Sequence, residues 1–388
     1  MSNKLIQKRS RLLSIDLFKG IAAYAVVIIH TGKLMIYSGF PTNYWTIAFI
    51  EISRFAVPFF LITSFYFMTS NLYKKANNFS LIVHLKSKVY RLLIPYLCWS
   101  TIYLTFRLVK AVGRPSGLEQ LFQDPVMIIF LGGASIHLYF LPLLFLGSFL
   151  ITVPEYLARK QFDLKGIVFL CISSMALYEL IIISGNDFQF GANCLENAKS
   201  CSVAFQSLIK FALPNIENNQ FIRVILVALS WIIECLPYLF IAIVLNHPTF
   251  QKKLKTPNKS YLYISIILLT LVSILYVSNN LKSMYFPRSL YELGSASSLL
   301  IIGILLSIKM KDNGFISSLG ECSFGIYLMH YLILVVYTAL INKFANNLLK
   351  ISPNLAMLVL TSLTFGTSWI ITYLLLRKKT ISKLLFGN

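Results

Sequence analysis

Charge is scarce in this chain. Only 13% of its 388 residues are Asp, Glu, Lys or Arg, against 57% hydrophobic. A soluble domain of this length carries about 25% charged residues to cover its surface, so the composition excludes an ordinary water-soluble globule. Lipid is the natural solvent. Acidic residues are scarcer still, 14 against 35 Lys and Arg, and the net charge is +21. That excess invites a nucleic-acid reading, but the basic residues form short clusters between apolar runs and no helix carries a sustained basic face, which excludes it. The six cysteines form no CxxC, and no histidine stands at zinc spacing from them, so neither a dithiol motif nor a metal site is expected. Low-complexity tracts, internal repeats and Pro/Gly/Ser-rich linkers are missing, which leaves one domain over residues 1–388. There is no GxSxG elbow, HExxH or Walker loop, so serine hydrolases, zinc proteases and P-loop machines have no support.

Long apolar runs are what the chain has in quantity. They cover Ile15–Tyr37, Trp45–Met68, Leu92–Val109, His137–Tyr156, Ile167–Ser184, Ile222–Leu245, Tyr261–Val277, Leu290–Ile308, Phe315–Ile341 and Leu355–Leu376. A span needs ~20 apolar residues, so the expected fold is an all-α polytopic bundle of about ten transmembrane helices over roughly 15–376. The stretch Pro125–Leu131 is too short to cross, and Gly132-Gly133 ends it; a re-entrant or interfacial piece fits best. The basic stretch Met1 to Leu13 is followed by no cleavage site of small residues, so the first helix is expected to stay.

With the N-terminus inside, the connectors alternate, and the inner ones hold about twice the Lys and Arg of the outer ones. Both termini are therefore expected in the cytoplasm, and the cytoplasmic membrane is the expected location. The loop Asn71–Leu92 is the most basic inner segment, and Gly185–Gln220 is the largest outer one. Cys194 and Cys201 share that outer loop, as a disulfide in an oxidising compartment or as two free thiols.

Ionisable groups inside spans are costly and mark either function or pairing. The first helix carries Asp16, Lys19 and His30. At 100° per residue, Lys19 and His30 fall about 20° apart and Asp16 about 40° from His30, so all three share one face. His30 lies some 16 Å outward of Lys19. The bland alternative is an Asp16–Lys19 pair plus a core histidine. Glu51 and Arg54 are three residues apart on the second helix, with Glu51 near the depth of His30; an intrahelical ion pair is the competing reading. His137 opens the fourth helix, as an aromatic-belt neighbour of Tyr139 or as part of a site. Ser323, Tyr327 and His330 share one face of the ninth helix, for interhelical hydrogen bonds or for chemistry. Histidines and carboxylates thus converge on the outer half, and cations gather at the inner mouth. Histidine is the natural general base near neutral pH.

Five segments carry a resemblance. RLLSIDLFKGIAAYAVVIIHTG resembles the first helix of acyltransferase family 3, membrane-bound acyltransferases that include surface-polysaccharide O-acetyltransferases. In that family a basic residue precedes a histidine with ten positions between, as Lys19 precedes His30. FAVPFFLITSFYFM resembles the second-helix motif. LKSKVYRLLIPYLCWS resembles the basic loop and third helix, with Lys88 and Arg91 at the positions of an Arg-x-x-Arg pair. HLYFLPLL and ECSFGIYLMH resemble the later landmarks, placing His137 and His330. Lys stands for the commoner Arg at 19 and 88, which keeps the charge and loses the planar fork. Phe65 stands where a glycine is frequent.

The resemblance implies transfer of an acyl group, typically acetyl from acetyl-coenzyme A, to a hydroxyl of a cell-envelope glycan or lipid-linked sugar. His30 is then the general base or an acyl relay, with Lys19, Asp16, Glu51, His137 and His330 as further candidates. Lys88 and Arg91 meet the coenzyme's phosphates. No metal is implied. The competing class is a polysaccharide transporter or flippase, against which stands the lack of repeat symmetry; a non-catalytic sensor is the third. The topology is testable by labelling single cysteines in whole cells with an impermeant reagent. Asn197→Cys is expected to react and Asn78→Cys is not; the reverse pattern overturns the map.

Overall fold

The computed structural model describes residues 12–38, 43–75, 80–113, 116–122, 124–183, 220–254, 260–282, 286–307, 310–311, 313–344 and 353–387. The basic N-terminus and the outer loop with Cys194 and Cys201 lie outside them. Ten helical segments are long and apolar enough to cross a membrane, and no strand occurs among the described residues. The architecture is an all-α polytopic bundle.

Each span carries the mark of its sequence. The first is α1, Leu13–Tyr37. The second is broken into α2 (Tyr44–Ser53) and α3 (Ala56–Lys75). Pro58 lies four residues beyond Arg54, and its ring denies that carbonyl a helical donor. The third span begins earlier in the chain than expected. It begins as α4 (Leu81–Lys88), passes through a π turn at Val89–Leu93 and continues as α5 (Ile94–Val112). Pro95 removes the bond that the Arg91 carbonyl needs, and the backbone widens there. Lys88 therefore precedes a π turn that contains Arg91, both on a continuous helical span rather than a loose loop, because Lys and Leu continue a helix readily.

Two short helices follow, α6 (Gly117–Leu121) and α7 (Pro125–Phe130). Residues 131–139 are irregular, so the fourth span starts at Phe140 and His137 precedes it rather than opening it. Glycines at 132 and 133 stop the helical run. The span consists of α8 (Phe140–Gly147), a 3-10 turn (Ser148–Ile151) and α9 (Thr152–Arg159). The remaining elements are α10 (Leu164–Ile183), α11 (Gln220–Asn246), α12 (Pro248–Leu254), α13 (Ser260–Lys282), α14 (Arg288–Ser307), α15 (Gly314–Phe344), α16 (Pro353–Leu376) and α17 (Lys379–Phe386).

Helices α1 and α14 are central, with 61% and 67% of their apolar windows buried, whereas α10 and α13 each bury 17% and form the rim. Rim side chains such as Phe169, Leu180, Ile267 and Ile274 are exposed. In hydrocarbon such exposure carries no penalty, so packing must come from shape and polar contacts. Accordingly α1 meets α15 where Gly320 admits the buried side chain of Asp16; a Cβ there falls 2.3 Å from the Asp16 Cβ. The short α17, which no apolar run announces, folds back on the third span. Trp99 Nε1 donates to the Leu385 carbonyl at 3.0 Å, and Phe386 enters the main core.

The irregular segment is tied from several sides. The Tyr96 hydroxyl donates to the Ile129 carbonyl at 2.7 Å and accepts from Gly132 N–H at 3.0 Å. Arg107 donates to the Gly133 carbonyl at 2.7 Å, and the Tyr327 hydroxyl donates to the carbonyl of His137. Gly132 has φ +78°, and a Cβ there lies 2.3 Å from Tyr139 N. Gly132→Ala thus adds left-handed strain, about 1–3 kcal/mol, to a backbone clash. We expect the apparent Tm in detergent to fall by several degrees; an unchanged Tm refutes this account of the turn.

Candidate active site

Three elements far apart in sequence bring histidines to one place. His30 comes from α1, His137 from the irregular segment and His330 from α15. Their ring centres are 6.1 Å apart for His30 and His137, 5.1 Å for His30 and His330, and 4.9 Å for His137 and His330. Counted from the N-terminal ends of α1 and α15, His30 and His330 stand at similar heights, each roughly 25 Å along its helix. Tyrosines enclose the rings: Tyr331 lies 5.6 Å from His30, Tyr103 is 5.2 Å and Tyr327 5.5 Å from His137.

The three histidines are not equivalent. His137 is buried, with Nε2 3.2 Å from the Leu328 carbonyl and Nδ1 3.2 Å from Ser135 Oγ. A carbonyl can only accept, so Nε2 carries the hydrogen and Nδ1 accepts from the serine. Both nitrogens are engaged, and the ring joins the irregular segment to α15. Tyr103 strengthens the same joint, its hydroxyl donating to Leu328 O at 2.9 Å and accepting from Leu332 N–H at 3.2 Å. His330 is fully buried. Its Nδ1 lies 2.7 Å from the Tyr327 carbonyl, and among the described residues Nε2 has no hydrogen-bond partner. His30 is half-buried, and no hydrogen bond ties its ring among the described residues. Of the three rings it is the one that no hydrogen bond holds among the described residues, and it packs against His137, His330 and Tyr331.

Toward the N-terminus of α1, Lys19 Nζ is 3.4 Å from Asp16 Oδ1 and 5.3 Å from the ring centre of Phe67. This is the pair the spacing anticipated, on the face that leads to His30. Arg91 is exposed and Lys88 half-buried, and among the described residues neither joins an ion pair. The backbone of Arg91 is covered by Gly387, whose φ of +66° and close approach leave no room for a Cβ. The C-terminal helix therefore braces the π turn that carries Arg91.

Glu51 goes elsewhere. Arg54 holds it through Nε at 2.6 Å and a second nitrogen at 2.9 Å, the intrahelical pair weighed against function. Among the described residues it makes no hydrogen bond or ion pair with the histidines. Its neighbourhood is a second polar cluster. There Glu292 accepts from Arg288 at 2.7 Å, Tyr178 at 3.0 Å and Tyr238 at 3.4 Å, and Tyr291 donates to Ile52 O at 2.7 Å. These bonds lock α2, α10, α11 and α14 together. Glu51 and Glu292 each pair with an arginine, as buried charges require.

The acyltransferase family 3 profile, described as an acyltransferase domain, matches residues 12–373. The chain belongs to this family. It is a membrane-embedded acyltransferase, and family membership disfavours the transporter alternative. No protein of curated function and no solved structure matches it. The match begins just before α1 and ends within α16, so it takes in all three histidines and the Lys88–Arg91 pair of this acyltransferase. Reading the sequence alone missed Tyr103, Ser135 and Arg107. Tyr103 and Arg107 sit in an apolar run with nothing to distinguish them from interfacial residues. Tyr331 directly follows His330, and that adjacency was the available signal.

Proposed function

We propose that this acyltransferase moves an acyl group, acetyl in the simplest case, from cytosolic acyl-coenzyme A to a hydroxyl of a cell-envelope glycan or lipid-linked sugar. The observation that carries the reading is the three-histidine cluster, in which only His30 makes no hydrogen bond among the described residues, is partly exposed and lies on the face of α1 that carries Lys19. The basic-residue count supports an orientation with both termini in the cytoplasm, in the cytoplasmic membrane. Lys88 and Arg91 then face the donor's side, where cations without carboxylate partners suit its phosphates. The acceptor approaches from the outer half.

The chemistry balances without a metal. His30 takes the proton of the acceptor hydroxyl, the new C–O bond forms at the thioester carbonyl, and the C–S bond breaks. The proton then passes from His30 to the departing thiolate. Asp16 and Lys19 hold the inner end of the path through α1.

General-base assistance contributes typically about 100- to 10,000-fold in rate. Accordingly, His30→Ala and His30→Gln are both expected to lose labelled-acetyl transfer from acetyl-coenzyme A to isolated envelope glycan by that range, while inserting and purifying normally. Activity restored in His30→Gln assigns the ring a structural hydrogen bond instead. At the inner end, Lys88→Ala and Arg91→Ala are expected to raise the KM for acetyl-coenzyme A more than they lower kcat, the pattern of lost ground-state binding. Wild-type kinetics in both variants reduce these cations to topology or lipid contact.

A further inference from the structure

We infer that His330 is a positioning residue for His30, accepting a hydrogen bond at Nε2 from His30 Nδ1–H while His30 Nε2 takes the acceptor's proton. The inference rests on His30 being the base.

The starting point is the tautomer of His330. Its Nδ1 faces two carbonyl oxygens, Tyr327 O at 2.7 Å and Ile326 O at 3.2 Å. Neither oxygen has a proton to give, so the hydrogen is on Nδ1. In the neutral ring Nε2 is then a bare lone pair. A doubly protonated ring is disfavoured because His330 is 0% exposed and no carboxylate pairs with it among the described residues. Nε2 has no hydrogen-bond partner among those residues. A buried acceptor left without a donor is costly, so its persistence calls for a partner that is engaged part of the time.

His30 fits that part. Its ring centre is 5.1 Å from that of His330, with the planes tilted by 42°. A hydrogen bond of roughly 2.9 Å between two ring nitrogens places the ring centres about 5 Å apart. The separation already suits such a bond, and only the orientation differs. No hydrogen bond among the described residues holds the His30 ring in its present orientation. Catalytic hydrogen bonds are often poorly aligned before substrate binds and close with it. His137 cannot supply the acceptor, because Leu328 O and Ser135 Oγ already engage both of its nitrogens.

The resulting order of contacts is acceptor hydroxyl, His30 Nε2, His30 Nδ1–H, His330 Nε2, and finally His330 Nδ1–H to the Tyr327 carbonyl. It follows the logic of a nucleophile–base–orienter triad, with a neutral imidazole in place of the carboxylate. No proton leaves His330 at any stage. It fixes which nitrogen of His30 is bare and where that nitrogen points.

Two substitutions separate this role from a structural one. In His330→Asn the amide N–H stands where Nδ1–H stood and keeps the bond to Tyr327 O, but nothing remains at the ε position. In His330→Gln the amide oxygen stands where the Nε2 lone pair stood, and the δ donor is lost. Labelled-acetyl transfer is measured per amount of monodisperse protein. His330→Gln is expected to retain roughly a tenth of wild-type turnover and His330→Asn to fall about 100-fold, with the KM for acetyl-coenzyme A unchanged in both. Equal turnover in the two, or Asn above Gln, overturns the proposal. Histidine nitrogen NMR of the wild-type protein tests it without any variant: His330 is expected as the Nδ1–H tautomer, and an Nε2–H tautomer refutes it. A His30→Ala control separates the two readings. An active control removes both the base and its orienter, whereas an inactive one with Asn at or above Gln removes only the orienter.

Discussion

Inside hydrocarbon a backbone N–H or C=O that finds no partner costs several kcal/mol, so a chain in a membrane must be helical or must carry its irregular parts inside protein. Residues 131–139 are the longest break from helix among the described residues, and their neighbours in the bundle supply bonds that make that break tolerable. Tyr96 on the third span accepts from Gly132 N–H, Arg107 on the same span donates to the Gly133 carbonyl, and Tyr327 on α15 donates to the His137 carbonyl. With those bonds made, the segment delivers His137 to a point between α1 and α15. The polar side chains around the histidines thus hold the backbone first, and only the groups left over from that task are free for chemistry.

This division explains the inequality of the three rings. His137 spends both nitrogens on stitching the irregular segment to α15. His330 spends one on its own helix and keeps the other. His30 spends none among the described residues. A gradient from structural to available runs across a cluster whose ring centres lie 4.9 to 6.1 Å apart. The same economy governs the charges. Glu51–Arg54 and Arg288–Glu292 are paired three and four residues apart, with Tyr178 and Tyr238 further satisfying Glu292, whereas Lys88 and Arg91 are paired with no carboxylate among the described residues. Buried ion pairs contribute little net stability but fix which helices meet. Cations that have no carboxylate partner among the described residues are ready for an anion.

The fold class was open to reading because lipid imposes a length and a composition on every span, and both are local properties. The ten spans agree with the apolar runs to within a few residues at most ends. The errors fall where local rules were outvoted. The third span begins earlier and takes in Lys88 and Arg91 because charged residues with good helix propensity can continue a helix past the apolar limit. The fourth span begins later because glycines stop it and the tyrosine and arginine contacts reward an irregular path. The helix Lys379–Phe386 escaped notice because eight residues with a basic face resemble a tail until Trp99 and the core at Phe386 are in view.

The sequence by itself determined that this chain lives in a membrane, and through the spacing of Lys19 and His30 it marked one face of the first helix. The resemblance of five short segments placed His137 and His330 in the same family pattern. Periodicity relates residues on one helix and says nothing about which helices are neighbours. Only the tertiary structure decided that α1, α15 and residues 131–139 meet, that Glu51 turns to Arg54, and which imidazole nitrogen stays without a partner among the described residues. The physical reason is that hydrogen-bond satisfaction is settled between elements distant in the chain, by angles and separations of a few ångströms that no linear pattern encodes.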